Sequence, residues 1–449
     1  MKENEQFQLK IDNIAFGGYG VGRIDRRVFF VKGAYPGETA EIETIRVRRG
    51  LTYGRCINLL EKSPYRQEAP CDIFQDCGGC SWQDIDYEKQ FEFKTLTVLD
   101  SLEHIGKLEN LPEIEPIRAE NEFRYRNKME FTFGGEPGQI FAGLHRQGRY
   151  DMLIPARGCM LMPEVGNRII ESVEKSANRL GLSSYDPNQK NGLLRHLTMR
   201  FSETEGKYLA AITVFEPATM EIREIMEDLK QNVEGMAGGA MIVNTSPGDS
   251  AQGEIEPLIG EGYIYEDIHG IRFRISYNSF FQTNTVMARK LYSKIAEYAE
   301  IDSGQNVLDL YCGTGTIAQI LAKDAGKVIG VELVPAAIDD ARLSAERNEI
   351  HNVDFICGSV QKTMPQILLD NEVDTIVFDP PRAGIPKKTL KKVVDNPPRR
   401  IVYTSCNPTT LARDLKHLNK KYEIEKIAVV DMFPQTYHVE TVVKLNCVS

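Results

Sequence analysis

The most constraining feature of this 449-residue chain is the alternation of short apolar runs with helix-length segments in its C-terminal third. NVLDLY (306–311), KVIGVEL (327–333), VDFIC (353–357), DTIVFDP (374–380) and RIVYTS (400–405) are each followed by a stretch long enough for a crossover helix. IAVVDMF (427–433) and VETVVKL (439–445) are separated by only a short connection. Short apolar runs rich in β-branched residues, spaced by helices, predict parallel strands buried on both faces. Five such units and a closing hairpin predict a doubly wound, Rossmann-like α/β sheet with an antiparallel edge. Ligands of such sheets collect at the carboxyl ends of the strands.

The preceding residues follow other periods. Residues 1–64 read as short strands broken by glycine-rich turns, FGGYGVG among them, which predicts a small OB-like barrel. This segment holds 11 Lys/Arg against 8 Asp/Glu, leaving about −13 for the rest of a chain of net charge −10. Its surplus is concentrated in Arg46, Arg48, Arg49 and Arg55 beside Tyr53. That grouping suits an RNA backbone and a stacked base, or equally an edge strand protected by charge. Residues 84–108 predict one amphipathic helix with Phe91, Thr95, Val98, Leu99 and Leu102 on its buried face, and 116–262 predict a strand-rich α+β unit with a helix near 164–180. Hydrophobic residues at 42% and charged residues at 26% exclude disorder and collagen. No apolar run reaches the ~18–20 residues of a membrane span, and the polar N-terminus lacks a secretory pattern, so a cytoplasmic protein is expected.

Several residues at the strand ends carry chemistry. DLYCGTGTIA (309–318) is a strand, glycine turn and helix start, and Glu332 closes the next strand 17 residues after Gly315. A carboxylate there accepts ribose hydroxyls, and the turn brings amides to an adenosine-type ligand; together they point to an S-adenosylmethionine pocket. DPPRAG (379–384) puts Asp379 on the same rim, where a strand-terminating acid is the plainer alternative. SCNP (405–408) puts Cys406 there as a candidate thiolate nucleophile. Cys357, inside VDFIC, reads instead as a buried small hydrophobe. PQTYHVE brings His438 and Glu440 to the start of the last strand, as a general base or as plain edge-strand polar residues. Cys71, Cys77 and Cys80, spaced C-x5-C-x2-C, with Cys159 as a distant fourth thiol, suit either zinc or an iron–sulfur cluster.

Taken with YRNK (125–128) and SFFQTN (279–284), the series DLYCGTG, DPPRAG, SCNP and HVE stands in an order that resembles the RNA uracil-5-methyltransferases over nearly the whole chain. The resemblance implies three parts. A TRAM-type (OB-like) RNA-binding barrel spans 1–64, and a central domain with an iron–sulfur cluster spans 65–83 and 116–262. An S-adenosylmethionine-dependent methyltransferase domain spans 84–115 and 263–449. It further implies Cys406 as nucleophile, Glu440 as base, and Gln282, Tyr311, Thr316, Glu332 and Asp379 as cofactor contacts. Ser359 stands where the family often has an acid. It makes Cys71, Cys77, Cys80 and Cys159 ligands of a [4Fe–4S] cluster. Because the tRNA-directed bacterial branch typically lacks these cysteines, the implied substrate is a uridine of 23S rRNA, flipped from its stack. The tRNA T-loop is the alternative. A catalytically inactive RNA-binding or chaperone protein and a metal-dependent redox enzyme are the readings from other classes. No membrane and no obligate protein partner are expected.

Overall fold

The computed structural model describes residues 4–48 and 50–448; Arg49, one of the four barrel arginines, lies outside them. Six strands between Gln6 and Glu61 form a sheet that curls onto itself. Strand Gln6–Lys10 is at one edge, yet the Asp12 amide just beyond it donates to the Val21 carbonyl at 2.8 Å, near the opposite edge. That closure needs Gly22, where a Cβ would meet the Lys10 carbonyl oxygen at 2.3 Å. Leu9, Ile11, Phe29, Val31, Ala40 and Ile42 fill the interior.

The central sheet has seven strands. Its middle strands, Leu194–Phe201 and Tyr208–Val214, are buried along their whole length because both faces are covered. Helices Glu164–Arg179 and Thr219–Asn232 lie on one face. On the other face Leu209, Ala211, Ala240 and Ile242 pack with the hairpin Tyr263–Ile268/Ile271–Ser276 and helix Thr285–Ala299.

The C-terminal sheet has the order 353–357, 327–332, 306–310, 375–378, 400–405, 440–447, 422–430. The first five strands are parallel, and the last strand inserts antiparallel between its two neighbours. An eighth strand, Ile114–Ile117, pairs parallel with Tyr422–Val430 and so adds a distant segment to the edge. Helices 285–299, 316–321 and 335–347 cover one face; 360–370, 387–395 and 408–418 cover the other. Among the described residues no helix is long and apolar enough to cross a membrane.

The predicted helix at 84–108 is shorter and differently buried. It runs from Tyr87 to Asp100 and continues as a π-turn, Ser101–Ile105. Phe91, Val98 and Leu102 pack on the C-terminal sheet, while Phe93 turns toward Tyr35 and Trp82 beside the barrel. Thr95 and Leu99 are only half-buried. A helix wedged between two bodies needs two apolar stripes, and a search for one face finds only part of each. Cys357 is also not where its apolar neighbours placed it: strand Val353–Cys357 is the sheet edge, and the thiol is exposed.

Candidate active site

The strand-end motifs meet because of register. Ser405 pairs with Thr441 across the antiparallel ladder, so the next residue outward on one strand, Cys406, faces the first residue of the other, Glu440. Asp379 leaves the adjacent parallel strand Thr375–Phe378 on the same rim. Each residue of SCNP has a local task. Ser405 Oγ accepts from the Asn407 amide at 3.2 Å, and Asn407 caps helix Pro408–Leu418 by accepting from the Thr409 amide at 3.0 Å. Pro408 occupies the first turn, where its missing N–H costs nothing. The Asn407 side chain also donates to the Arg382 carbonyl at 3.0 Å, which ties the DPPRAG loop to the cysteine turn.

The electrostatics of this rim follow from burial beside like charges. The Cys406 thiol is pushed up to about 11 by burial and by the Glu440 and Asp379 carboxyls, with Arg382 opposing. Burial, then Asp379, holds the Glu440 carboxyl well above the usual carboxylate range, again with Arg382 opposing. Asp379 is raised to about 7 by burial. His438 is lowered to about 4, by burial and then by the Arg382, Lys94 and Arg126 charges, so its ring is neutral near pH 7. Arg382 is the cation that opposes these carboxyls at Cys406 and Glu440, a role the DPPR spelling contains but strand-end reasoning about its acid passes over. Tyr292, on helix Thr285–Ala299, is also missed by the sequence reading. It is buried, and its phenol is raised by burial and by Asp379, Glu440 and Asp309 together.

One strand over, the glycine turn takes shape around backbone strain. Tyr311 has φ of 67°, and its amide donates to the Val331 carbonyl at 2.9 Å. A non-glycine residue held there costs about 1–3 kcal/mol, and such strain clusters at functional turns. Gly315, at φ of 74°, caps helix Thr316–Leu321; a Cβ there would stand 2.5 Å from the Phe355 ring. Thr316 is buried as the first helical residue. Glu332 is oriented by amides: Oε1 accepts from Leu333 at 2.7 Å and Val334 at 3.0 Å, and Oε2 from Gly313 at 3.3 Å. Leu333 and Val334 are 66% and 52% exposed, an apolar wall beside the acid that suits an adenine face. Asp309 lies fully buried beneath, without a close hydrogen-bond partner for either oxygen among the described residues. It is raised to about 8 by burial and then by Asp379, partly offset by the Ala318 amide. Ser359 caps the end of helix Val360–Asp370 with its backbone only.

YRNK and SFFQTN, far apart in sequence, lock together. The Asn127 amide donates to the Thr283 carbonyl at 2.9 Å, and its side chain donates to the Gln282 carbonyl and the Thr285 hydroxyl, both at 2.8 Å. These bonds fix the backbone of Gln282, two residues after Phe280, which is 72% exposed. Asn284 caps helix Thr285–Ala299 and donates to the Met432 carbonyl at 3.0 Å.

The connection from Asp431 to Val439, which delivers Glu440, is pinned from several sides. Lys94 pairs with Asp431 at 2.6 Å, both side chains fully buried, and donates to the Phe433 carbonyl at 3.0 Å. Gln90 and Gln435 exchange two 3.0 Å hydrogen bonds, and Gln435 sits at φ of 66°. The Gln435 carbonyl accepts from the Ser81 and Trp82 amides at 2.8 and 3.1 Å, and Tyr125 donates to the Pro434 carbonyl at 3.0 Å.

Ser81 directly follows the cysteine cluster. Cys77, Cys80 and Cys159 are buried and Cys71 is half-buried. The four thiols interact: Cys77 with Cys159 and Cys71, Cys80 with Cys159 and Cys77. No three sulfurs are within 4.8 Å of one another among the described residues. The Gly79 amide donates to Cys77 Sγ at 3.4 Å, and the Leu161 and Met162 amides point to Cys159.

Comparison with known proteins agrees with this architecture. Residues 258–448 match the family model described as tRNA (Uracil-5-)-methyltransferase. An uncharacterized RNA methyltransferase of Bacillus cereus is 36% identical over 455 residues, covering 100% of this chain and 98% of that protein. One from Halalkalibacterium halodurans is 35% identical, covering 99% and 98%. Among solved structures, the Pyrococcus abyssi tRNA (uracil-54, C5)-methyltransferase in complex with S-adenosyl-L-homocysteine superposes with a TM-score of 0.77 at 27% identity. That match covers 98% of this chain and 100% of the other. With the glycine turn, Glu332 and the Cys406–Glu440 rim on one edge of its sheet, the chain belongs to the S-adenosylmethionine-dependent RNA (uracil-5-)-methyltransferase family.

Proposed function

We propose that the protein methylates C5 of a uridine in 23S rRNA, with Cys406 as nucleophile and Glu440 as base. The observation that carries this reading is the ladder register that sets Cys406 opposite Glu440 with Asp379 beside them. Uracil C5 is a poor nucleophile. The Cys406 thiolate adds to C6, breaking the C5=C6 π bond and making C5 an enolate carbon. S-adenosylmethionine, when bound, supplies an electrophilic methyl group on a sulfonium: C5 takes the methyl as the S–CH3 bond breaks, and the sulfur is left as a neutral thioether. Glu440 then removes the C5 proton, the π bond reforms and the thiolate leaves, which splits one hard step into easier ones. A carboxyl with a raised pKa is the stronger base once ionised. Gln282, Tyr311, Thr316, Glu332 and Asp379 would hold the cofactor, with Leu333 and Val334 against its adenine. Glu440→Gln should accumulate a denaturant-resistant protein–RNA adduct on rRNA from a strain lacking the gene. Full turnover by that variant would refute Glu440, and turnover by Cys406→Ala would refute the nucleophile.

Cys71, Cys77, Cys80 and Cys159 fit a [4Fe–4S] cluster better than zinc. Tetrahedral zinc with ~2.3 Å bonds needs all its sulfurs about 3.8 Å apart, and no three of these lie within 4.8 Å of one another among the described residues. Amide donors and the Arg126 charge near Cys80 and Cys159 suit an anionic thiolate cluster. We assign the barrel to RNA binding in the manner of a TRAM domain, the cysteine-bearing sheet to the centre, and residues 84–115 to the methyltransferase part. The cysteines favour rRNA, on the resemblance set out above. The tRNA reading draws on the Pyrococcus abyssi structure, whose name specifies tRNA uracil-54. Mapping 5-methyluridine in rRNA and tRNA from a deletion strain separates the two.

A further inference from the structure

The loop between strand Ile271–Ser276 and helix Thr285–Ala299 follows the central sheet in sequence, yet that sheet reaches back and grips it at both ends. Asn127 holds the far end through the Gln282 and Thr283 carbonyls. Arg200, on the buried strand Leu194–Phe201, holds the near end. Its Nε donates to the Tyr277 carbonyl at 2.9 Å, and its Nη2 donates to the Ser279 carbonyl. The two gripping residues are neighbours. The Phe201 amide donates to the Asn127 carbonyl at 2.8 Å, and Lys128 stands opposite Arg200 in the ladder.

The stability of the sheet does not call for an arginine at this position. Arg200 is buried, and burial lowers its guanidinium to about 10, with Glu130 opposing. Glu130 is shared with Lys128, 3.6 Å away. Like charges directly opposite across two strands destabilise a sheet, and a well-packed apolar side chain is at no disadvantage in such a place. What arginine alone supplies is a planar fork that donates to two carbonyls at once.

Between the grips the chain bends tightly. The Ser276 amide donates to Ser279 Oγ at 3.1 Å, and the two serine hydroxyls lie 2.8 Å apart. Phe281 turns inward, its ring 6.4 Å from that of Phe273, while Phe280 turns outward. Ser279, Phe280 and Phe281 line a small cavity together with Thr314 of the glycine turn, Asp340 and Leu343. The gripped loop therefore lies against the turn whose amides face the cofactor edge of the sheet.

We propose that Arg200 is a positioning residue for cofactor binding: together with Asn127 it clamps the loop from Tyr277 to Thr283 and holds Gln282 in place against the glycine turn. The proposal rests on the reading that Gln282 contacts S-adenosylmethionine. A loop released from one grip must be ordered when the ligand binds, and that ordering weakens binding.

Calorimetry of S-adenosylhomocysteine binding to the full chain tests the clamp, with wild type, Arg200→Met and Arg200→Lys. Arg200→Met keeps apolar bulk but leaves both carbonyls without a donor, and should weaken binding by about 10- to 100-fold. Arg200→Lys reaches one carbonyl and should weaken it by only about three- to tenfold. Phe280→Trp adds a reporter on the loop itself; the one native tryptophan, Trp82, is buried. Combined with Arg200→Met, the anisotropy of the introduced indole should fall and recover at saturating ligand, while Trp82 emission in Arg200→Met alone stays as in wild type. The clamp is overturned if Arg200→Met binds as tightly as wild type, if Arg200→Lys is no better than Arg200→Met, or if the indole anisotropy does not change. Should Arg200→Met fail to fold, Arg200→Lys with wild-type affinity and anisotropy overturns it. Gln282→Ala separates the two readings. Unchanged affinity there, with weakened Arg200 variants, would sustain the clamp through its contact with the glycine turn and refute the Gln282 assignment. Weakened Gln282→Ala with unchanged Arg200 variants would refute the clamp alone.

Discussion

In the free protein the proposed nucleophile is masked, and its reactivity should show it. With the Cys406 thiol at about 11, only about 1 molecule in 3,000 carries the thiolate at pH 7.5. Alkylation by iodoacetamide, followed on the Cys406 peptide by mass spectrometry, should therefore accelerate about tenfold per pH unit with no plateau below pH ~10.5. The exposed Cys357 supplies an accessible reference thiol in the same sample. A unit charge ~6 Å away at an effective dielectric of ~20 contributes up to about 2.8 kcal/mol. Cys406 is half-buried, so screening leaves roughly half of that, about one pKa unit. Arg382→Gln removes the opposing cation and should slow alkylation about tenfold at pH 9. Glu440→Gln removes a carboxylate that raises the thiol and should speed it about tenfold there. A plateau below pH 9, or slower alkylation in Glu440→Gln, would refute this account of the site. If it holds, the thiol is protected from stray oxidants until bound RNA changes its surroundings.

Four further outcomes follow from burial and strain. Asp309 is fully buried at about 8, against ~3.9 unfolded, so the folded protein holds a proton that the unfolded chain releases. Its contribution to stability is complete below pH ~4 and is lost as pH rises to 8, by up to about 1.4 kcal/mol per unit. Asp309→Asn should thus raise Tm relative to wild type more at pH 8 than at pH 5, and parallel curves would contradict it. Gly315→Ala forces a Cβ into the Phe355 ring at a positive φ; calorimetry should show S-adenosylhomocysteine binding weakened at least tenfold. Lys94→Met strands Asp431 in the interior and should cost about 3–5 kcal/mol in denaturant unfolding. The double change with Asp431→Leu should recover most of it, and equal losses would contradict the pair. Anaerobically purified protein should be brown with about four irons per chain, and a colourless zinc protein would overturn the cluster assignment.

The alternating strands of the C-terminal sheet were legible because each is a short apolar run between helices. Asp379, Cys406 and Glu440 were legible as strand ends. Their mutual placement was not, since it depends on the final strand inserting next to Arg400–Ser405 rather than lying at the edge. Ile114–Ile117 escaped because four residues containing Pro116 show no periodicity; only the Tyr422–Val430 edge makes them a strand. Cys357 was misplaced because apolar neighbours do not reveal which strand ends a sheet. Arg382 acts on the site by its charge, and Tyr292 is shaped by carboxyls brought from other segments; no local pattern marks such residues.

The connection from Asp431 to Val439 has a consequence for how the enzyme comes into being. Its anchors come from the segment after the cysteines, from the helix at Tyr87–Asp100, from Tyr125 and from Asn284. Glu440 is thus held in place by parts of the chain made long before it. A nascent chain gains Glu440, the proposed base, only after all of those anchors have been made. A C-terminal half without those segments would leave the proposed base without its Lys94, Gln90 and Tyr125 anchors, so the reaction proposed here should depend on the whole chain being assembled.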